Sequence, residues 1–329
     1  MSKAKPIAMT MGDPAGVGPE IICRTLNEMT EEERAETIVI GDPVFLERAA
    51  NTVGADLVFG FAFDDLPEGV VGVVAVPVHG QDSIKVGSVC AAGGELAYRC
   101  VEKAVELAMN DDISVIVTAP LNKEALHAAG HNFDGHTGLL AHLSGAPSSF
   151  MLLASEKLST VHVCTHVSFR QVPDRVSKQR VIDTIKAGND HFKLLGVPNP
   201  RIAVAGLNPH CGEHGIFGNE EIEVIGPAVE AARAEGINVS GPISADTVYY
   251  RAIRGEFDLV VSQYHDQGHI PCKLIAFDET VNVSLGLPIL RTSVDHGTAF
   301  DIAWTGKADH TNMKAAMAYA RRMAGLAGR

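Results

Sequence analysis

Histidine is the residue type whose placement in this chain invites a chemical reading. The run Val260-Val-Ser-Gln-Tyr-His-Asp-Gln-Gly-His-Ile-Pro-Cys-Lys273 opens as a short apolar β run and turns abruptly polar, delivering His265, Asp266, Gln267 and His269 past the strand's end. Two other apolar runs repeat the pattern. Residues 160–165 lead to His166, and residues 201–206 pass through Leu-Asn-Pro to His210. Any one of these histidines could be a structural residue bonded to backbone. Three imidazoles at the same end of three strands instead suit a divalent transition ion with a position left open for catalysis. Zinc heads that list, with cobalt and manganese behind it, and magnesium last because it prefers oxygen.

A second group of residues points to an anion. The chain has 40 acidic and 27 basic residues, yet Lys123, Arg170, Lys273 and Arg291 each stand beside a turn or strand end. Such isolated cations suit a compact substrate carrying phosphate or carboxylate, Arg as a fork and Lys as a point charge. In Asp134-Gly-His-Thr-Gly138, His136 and Thr137 precede a helical pattern. Thr137 reads as an N-cap there, and the free N–H groups of the same helix start could also hold an anion. The glycine-rich turn Gly12-Asp-Pro-Ala-Gly-Val-Gly18 fits neither GxGxxG nor a P-loop. It reads as a tight turn presenting Asp13 and a helix start to a cleft. Asp295, His296, Gly297 and Thr298 form a loop able to wrap a ligand, with a helix expected from Ala299.

These groups need a scaffold. The chain has 329 residues, 46% of them hydrophobic, enough for a large core and two domains. Its net charge of −13 argues against nucleic acid or an anionic membrane as partner. Six cysteines stand singly, with no CxxC, and read as reduced thiols of a cytoplasmic protein. Neither a signal-type apolar run nor a stretch near the roughly 18–20 residues of a bilayer span is present. Apolar β runs at residues 5–11, 37–41, 56–61, 71–76, 113–118, 150–154, 160–165, 201–206, 257–261 and 280–285 alternate with a helix starting at Pro19 and helical patterns at 43–52, 87–109, 177–195, 220–235, 247–253 and 312–326. Alternation of this kind predicts an α/β fold with a mostly parallel sheet. The paired Gly93 and Gly94 suggest close helix packing.

Five stretches together closely resemble the 4-hydroxythreonine-4-phosphate dehydrogenase family: Gly12-Asp-Pro-Ala-Gly-Val-Gly-Pro-Glu20, Gly206-Leu-Asn-Pro-His-Cys-Gly-Glu213, Tyr264-His-Asp-Gln-Gly268, Val281-Asn-Val-Ser-Leu-Gly-Leu-Pro288 and Arg291-Thr-Ser-Val-Asp-His-Gly-Thr-Ala299. The likeness runs from about residue 5 to 325. It implies two α/β/α domains around a cleft, of the isocitrate/isopropylmalate dehydrogenase type, in a homodimer with the active site near the interface. We place the terminal domain at residues 1–135 plus 286–329 and a middle domain, carrying most metal and substrate residues, at 136–285. Carried over by motif, His166, His210 and His265 are metal ligands, and His136, Thr137, Lys273, Asn282 and Arg291 contact substrate. The resemblance also implies NAD, or NADP, bound without a Rossmann fingerprint, with Asp295, His296, Gly297 and Thr298 as the cofactor loop. Asp246, Asp266 and Lys273 are the candidate catalytic groups, the two aspartates for orienting histidines or relaying protons; Asp246 reads equally as an N-cap of a helix over 247–253.

Gly138 and His269-Ile-Pro271 depart from the biosynthetic pattern, which has Glu after His-Thr and Leu-Pro after Tyr-His-Asp-Gln-Gly. The Gly-His-Ile-Pro form, Ala97-Tyr-Arg-Cys-Val101 and Asp301-Ile-Ala-Trp-Thr-Gly-Lys307 look more like the catabolic branch, the 4-phospho-D-threonate 3-dehydrogenases. The reaction implied is metal-assisted oxidation of the C3 hydroxyl of a 4-phosphorylated four-carbon acid, with loss of CO₂ to dihydroxyacetone phosphate. The biosynthetic activity on 4-hydroxythreonine-4-phosphate remains an alternative. A metal-dependent hydrolase or a zinc-binding protein without turnover would use the same three histidines.

Overall fold

The computed structural model describes residues 5–61, 66–67 and 69–326, so the outermost residues of the expected terminal domain lie outside the described ones. The chain divides into two compact units, Met1–Ser149 with Leu287–Arg329, and Phe150–Gly286. The first contains β1 (Ile7–Thr10), α1 (Gly18–Glu28), α2 (Glu31–Ala35), β2 (Thr37–Gly41), α3 (Pro43–Val53), β3 (Val58–Gly60), β4 (Val70–Ala75), α4 (Ala91–Met109), β5 (Val115–Thr118), α5 (Lys123–Ala128) and α6 (His136–Ser144). The second contains β6 (Phe150–Ala154), β7 (Ser159–His162), α7 (Val172–Arg175), α8 (Lys178–Leu194), β8 (Ile202–Ala205), α9 (Gly226–Ala234), β9 (Val239–Ile243), α10 (Ala245–Ile253), β10 (Leu259–Ser262), α11 (His265–Ala276) and β11 (Val281–Leu285). The chain then returns to the first unit with β12 (Arg291–Ser293) and α12 (Thr311–Met323).

In the first unit the strands run in the order β3-β4-β2-β1-β5-β12, every pair parallel. Strands β1, β2 and β5 are buried along their whole length, which is why they read as unbroken apolar runs rather than alternating ones. Consecutive β1 and β2 lie to one side and β5 and β12 to the other, so the switch point of this doubly wound sheet falls between β1 and β5. Asp42 caps α3 through the Val44 N–H at 2.8 Å, and Gly54 ends it in the left-handed conformation. The paired glycines do mark close packing. A Cβ on Gly94 would sit 2.0 Å from the Ala125 carbonyl oxygen, so only glycine lets α4 approach α5.

The second unit orders its strands β11-β6-β7-β10-β8-β9. Strands β7, β10, β8 and β9 are parallel, whereas β6 pairs antiparallel with both β7 and β11. Here Leu153, Ala203, Val248, Val260 and Cys272 form one apolar cluster that welds β6, β8, β10, α10 and α11 together.

Several expectations need correction. The polar run after β10, for which no helix was expected, is the helix α11; Gly268, Cys272 and Ala276 form a small buried stripe at four-residue spacing that its polar residues masked. Strand β7 stops at His162, four residues before His166. The helix expected over 220–235 opens as a wide π turn, Glu221–Ile225, before α9. No helix starts at Ala299. Residues 299 and 304 take positive φ (43° and 61°), and the buried Glu20 carboxylate accepts the Trp304 and Gly306 N–H groups, folding the segment into turns. The segment 136–149 packs with the terminal unit rather than the middle one. Helices α2 and α5 and strands β9 and β12 were not anticipated, although the Thr30-Glu33 capping box of α2 is legible as Thr-x-x-Glu. Among the described residues, no helix is long and apolar enough to cross a membrane.

Candidate functional site

In the first unit the carboxyl ends of β1 and β5 are tied by the Asp13 N–H donating to the Pro120 carbonyl at 2.9 Å and the Ala119 N–H donating to Thr10 at 3.1 Å. Arg291, at the start of β12, is only 2% exposed and places Nη2 and Nε 2.6 and 3.2 Å from the Thr118 hydroxyl. Burial pulls its pKa down to about 9, still leaving a cation at neutral pH. His136 opens α6. Its residue is half-buried as a whole, but the ring Nε2 is shut off from water and has no hydrogen-bond partner among the described residues. Burial first, and the Arg291 charge second, hold this imidazole well below the usual range, so it is neutral. Thr137 is not an N-cap: Gly135, at φ 129°, takes that place and leaves Thr137 inside the first turn. Lys123 Cε lies 3.6 Å from where a Cβ on Gly135 would sit, beside the same helix start. A buried guanidinium, a neutral imidazole and a helix start without a side-chain cap thus meet at the end of a parallel sheet. That arrangement can grip an anion.

Asp13 departs from its expected role. It is 1% exposed rather than presented to a cleft; Oδ1 accepts the Ala15 N–H at 2.9 Å, and Oδ2 has no partner among the described residues. Burial pushes its pKa up to about 6. The loop at 295–298 rests against the same turn. Thr298 is buried, its carbonyl accepts the Val17 N–H at 3.0 Å, and its side chain fills the space beside Gly16. The Asp295 N–H donates to Asn312 at 2.7 Å, while His296 and Gly297 at the tip are exposed. A loop anchored at both ends with an open backbone tip fits the edge of a cofactor.

In the second unit β7, β10 and β8 are adjacent and parallel, and their carboxyl ends lead to His166, His265 and His210. Side chains lace these ends together. Cys164 bonds the Gln263 carbonyl through N and Sγ (3.3 and 3.2 Å), Gln263 Nε2 donates to Ala205 at 2.7 Å, and Gln267 Nε2 donates to Gly206 at 2.8 Å. The His166 and His265 rings lie 5.8 Å apart, centroid to centroid, at 43°. Two imidazoles sharing one ion at a metal–nitrogen distance of about 2.1 Å have centroids roughly 5–6 Å apart, so the pair matches. His265 Nδ1 faces Asp266 Oδ1 at 2.6 Å, so this contact occupies Nδ1 and not Nε2.

His210 lies in a left-handed turn, with φ between 42° and 79° at residues 210–214. The buried Glu221 holds it there, accepting the Leu207 and Asn208 N–H groups at 2.7 Å each. Non-glycine residues pay of order 1–2 kcal/mol each for this conformation, and such turns cluster at functional sites. No three His, Cys, Asp or Glu side chains are gathered closely enough to hold an ion among the described residues. The donor types and the His166–His265 spacing fit a divalent ion; His210 is not drawn in with them. Asp246 is exposed in the first turn of α10, with Ser244 at the cap position, so the N-cap reading falls. Burial, then Glu221, and less strongly Asp246, raise the Cys211 thiol, which puts Asp246 within electrostatic reach of the turn bearing His210.

Lys273 is half-buried on α11 with Nζ 5.3 Å from the Phe277 ring, and Asn282 pairs with Leu153 across β11 and β6. Both belong to the second unit, whereas His136, Thr137, Arg291 and residues 295–298 belong to the first. Arg170 is exposed on a short turn of the second unit. Sequence reasoning missed Thr118, Glu221, Gln263 and His162, because each acts through partners distant in sequence. His162 is 1% exposed, its Nδ1 bonds the Met151 carbonyl at 3.0 Å, and burial holds its pKa down to about 3.

Comparison with known proteins finds relatives along nearly the whole chain. The D-threonate 4-phosphate dehydrogenase of Pectobacterium atrosepticum is 47% identical, covering 98% of this chain and all of its own. The crystal structure of 4-hydroxythreonine-4-phosphate dehydrogenase from Klebsiella pneumoniae superposes with a TM-score of 0.89 at 44% identity, over 98% of this chain and 100% of that one. A β-decarboxylating dehydrogenase from Thermococcus kodakarensis, at 14% identity and a TM-score of 0.50 over 98% of this chain and 84% of its own, shares the fold. The family described as pyridoxal phosphate biosynthetic protein PdxA matches residues 33–320, and this chain belongs to that family.

Proposed function

We propose that this protein is a metal-dependent, nicotinamide-linked dehydrogenase that oxidises the C3 hydroxyl of a 4-phosphorylated four-carbon hydroxy acid, 4-phospho-D-threonate or a close relative. The product would lose CO₂ to leave dihydroxyacetone phosphate. The observation that carries this reading is the set of three histidines following the carboxyl ends of three adjacent parallel strands, in a chain 47% identical to a D-threonate 4-phosphate dehydrogenase.

His166, His210 and His265 would hold the divalent ion, zinc first, which supplies Lewis-acid polarisation of the hydroxyl under oxidation and of the ketone as it forms. NAD or NADP, along the loop of Asp295, His296, Gly297 and Thr298, would accept the hydride. The protein's own groups do the rest. Arg291, neutral His136, Thr137 and the α6 start suit the substrate's anionic groups, and Lys273 and Asn282 are the further substrate contacts that the family resemblance implies. Asp266 fixes the tautomer of His265, and Asp246 is the candidate to relay a proton near His210.

A second copy of this chain is the expected partner. Helix α11 exposes Ile270, Leu274 and Phe277 (56, 81 and 67%) along one stripe, and the same helix begins with His265. Covering that stripe in a homodimer would bring the partner's surface toward the histidines. Sedimentation of wild type against Leu274→Glu tests it, with a monomeric variant expected.

The alternative substrate, 4-hydroxythreonine-4-phosphate, has the support of the Klebsiella pneumoniae likeness. The deciding experiment follows NADH absorbance with both compounds and with unphosphorylated threonate. We expect kcat/KM for the phosphorylated hydroxy acid to lead. A tenfold lead for the amino acid would reassign the substrate. Hydrolytic turnover without any nicotinamide would overturn the class.

A further inference from the structure

We propose that His269 is a positioning residue that holds the His265 ring in the orientation needed for ligation. The inference rests on the metal reading of His265, and its geometry is separate from that reading. The two rings are stacked, 3.6 Å between centroids and 15° from parallel. One face of His265 therefore lies flat against His269, while its Nδ1 edge is taken by Asp266 at 2.6 Å. Face and edge together leave the imidazole little rotational freedom.

His269 is itself fixed, from behind. Its Nδ1 lies 3.0 Å from the His265 carbonyl oxygen one helical turn earlier and 3.1 Å from His162 Nε2. The proton count follows from the far end of this chain of contacts. The Met151 carbonyl can only accept, so His162 carries its proton on Nδ1 and offers Nε2 as an acceptor. His269 Nδ1–H then donates to both the His265 carbonyl and His162 Nε2. Every bond in the chain is satisfied by neutral rings.

The backbone has made room for the arrangement. A Cβ on Gly268 would sit 2.3 Å from His162 Nε2 and 2.7 Å from the Ser262 hydroxyl, so α11 can approach His162 only with glycine there. His269 is 7% exposed and His162 1% exposed, which rules out a merely solvated role. Outer groups that orient a ligating histidine commonly change metal affinity by about 10- to 100-fold when removed.

The test uses the full-length, metal-free protein and two variants, His269→Ala and His269→Phe. Phenylalanine keeps a flat ring against His265 and cannot donate to His162. Nitrogen-15 NMR of the imidazoles reads the His265 tautomer before any metal is added. Wild type should give one Nδ1-protonated form, His269→Ala a mixture, and His269→Phe a form close to wild type. Calorimetric titration with Co²⁺ should then show affinity about 10- to 100-fold weaker in His269→Ala, largely restored in His269→Phe. A His265 spectrum unchanged in His269→Ala would overturn the positioning role, whatever the metal does. Failure of wild type to bind Co²⁺, with the His265 tautomer still responding to the variants, would overturn the metal reading and leave the ring clamp standing.

Discussion

The strand ends of the two units handle charge in opposite ways. In the first, Arg291, Asp13 and Glu20 are almost wholly buried, at 2, 1 and 0% exposure, and His136 is held neutral beside the guanidinium. In the second, His166 and His210 are exposed and His265 is partly so, while behind them His162 and His269 are buried and hydrogen-bonded to each other. A buried cation is desolvated already and needs only a matching anion. Imidazoles that reach the surface can take an ion from solvent. The strand ends of the first unit bury their charge, whereas those of the second keep imidazoles at the surface.

The largest expected effect strikes the second unit. Chelation, or His210→Ala, should lower turnover on the order of a thousandfold, several kcal/mol of lost transition-state stabilisation. Zn²⁺, Co²⁺ or Mn²⁺ should restore the chelated wild type and leave the variant inactive. Full turnover by metal-free His210→Ala would erase the contrast between the two ends.

Asp13 probes the first unit's buried charge. Its folded pKa of about 6 lies above the unfolded 3.8, so the folded state holds the proton more tightly. The associated stability is fully present below about pH 3.8 and is lost as pH rises through 6, about 3 kcal/mol at most. Asp13→Asn keeps an acceptor for Ala15 and removes the charge. Urea midpoints should show the variant more stable at pH 7 and flatter between pH 4 and 6; parallel profiles would refute the assignment.

Next comes the anion grip. Arg291→Ala and Lys273→Ala should each cost about 1.5–3 kcal/mol in kcat/KM with the phosphorylated acid. Arg291→Lys should fall between, since it keeps the charge and loses the fork. Equal turnover of unphosphorylated threonate by wild type would show that no phosphate is gripped.

Gly138→Glu is the gentlest test. A side chain at 138 meets nothing within 4 Å of its Cβ, and the position is exposed in the first turn of α6. Helix propensity and the dipole should together raise stability by up to about 1 kcal/mol. If the missing carboxylate sets the preference for a hydroxy acid over an amino acid, the ratio of the two kcat/KM values should shift toward the amino acid. An unchanged ratio would remove that cause.

The amino-acid order alone determined the α/β class, because parallel strands buried on both faces leave unbroken apolar runs such as Thr37-Ile-Val-Ile-Gly41. It also marked His166, His210 and His265, since polar residues directly after such runs stand out against them. Tertiary structure alone decided what those residues rest on. That α11 is a helix depended on a stripe of Gly268, Cys272 and Ala276 packing inward, and small residues carry little hydrophobic signal. That Asp13 is buried depended on the turn folding back to Pro120. The clamp of His162 and His269 joins residues 107 positions apart, and Thr118 meets Arg291 across 173. Local periodicity reports which face of an element is buried; it carries no information about which distant side chain will complete a hydrogen bond there, and hydrogen bonds of that kind set the tautomers and charges at both strand ends.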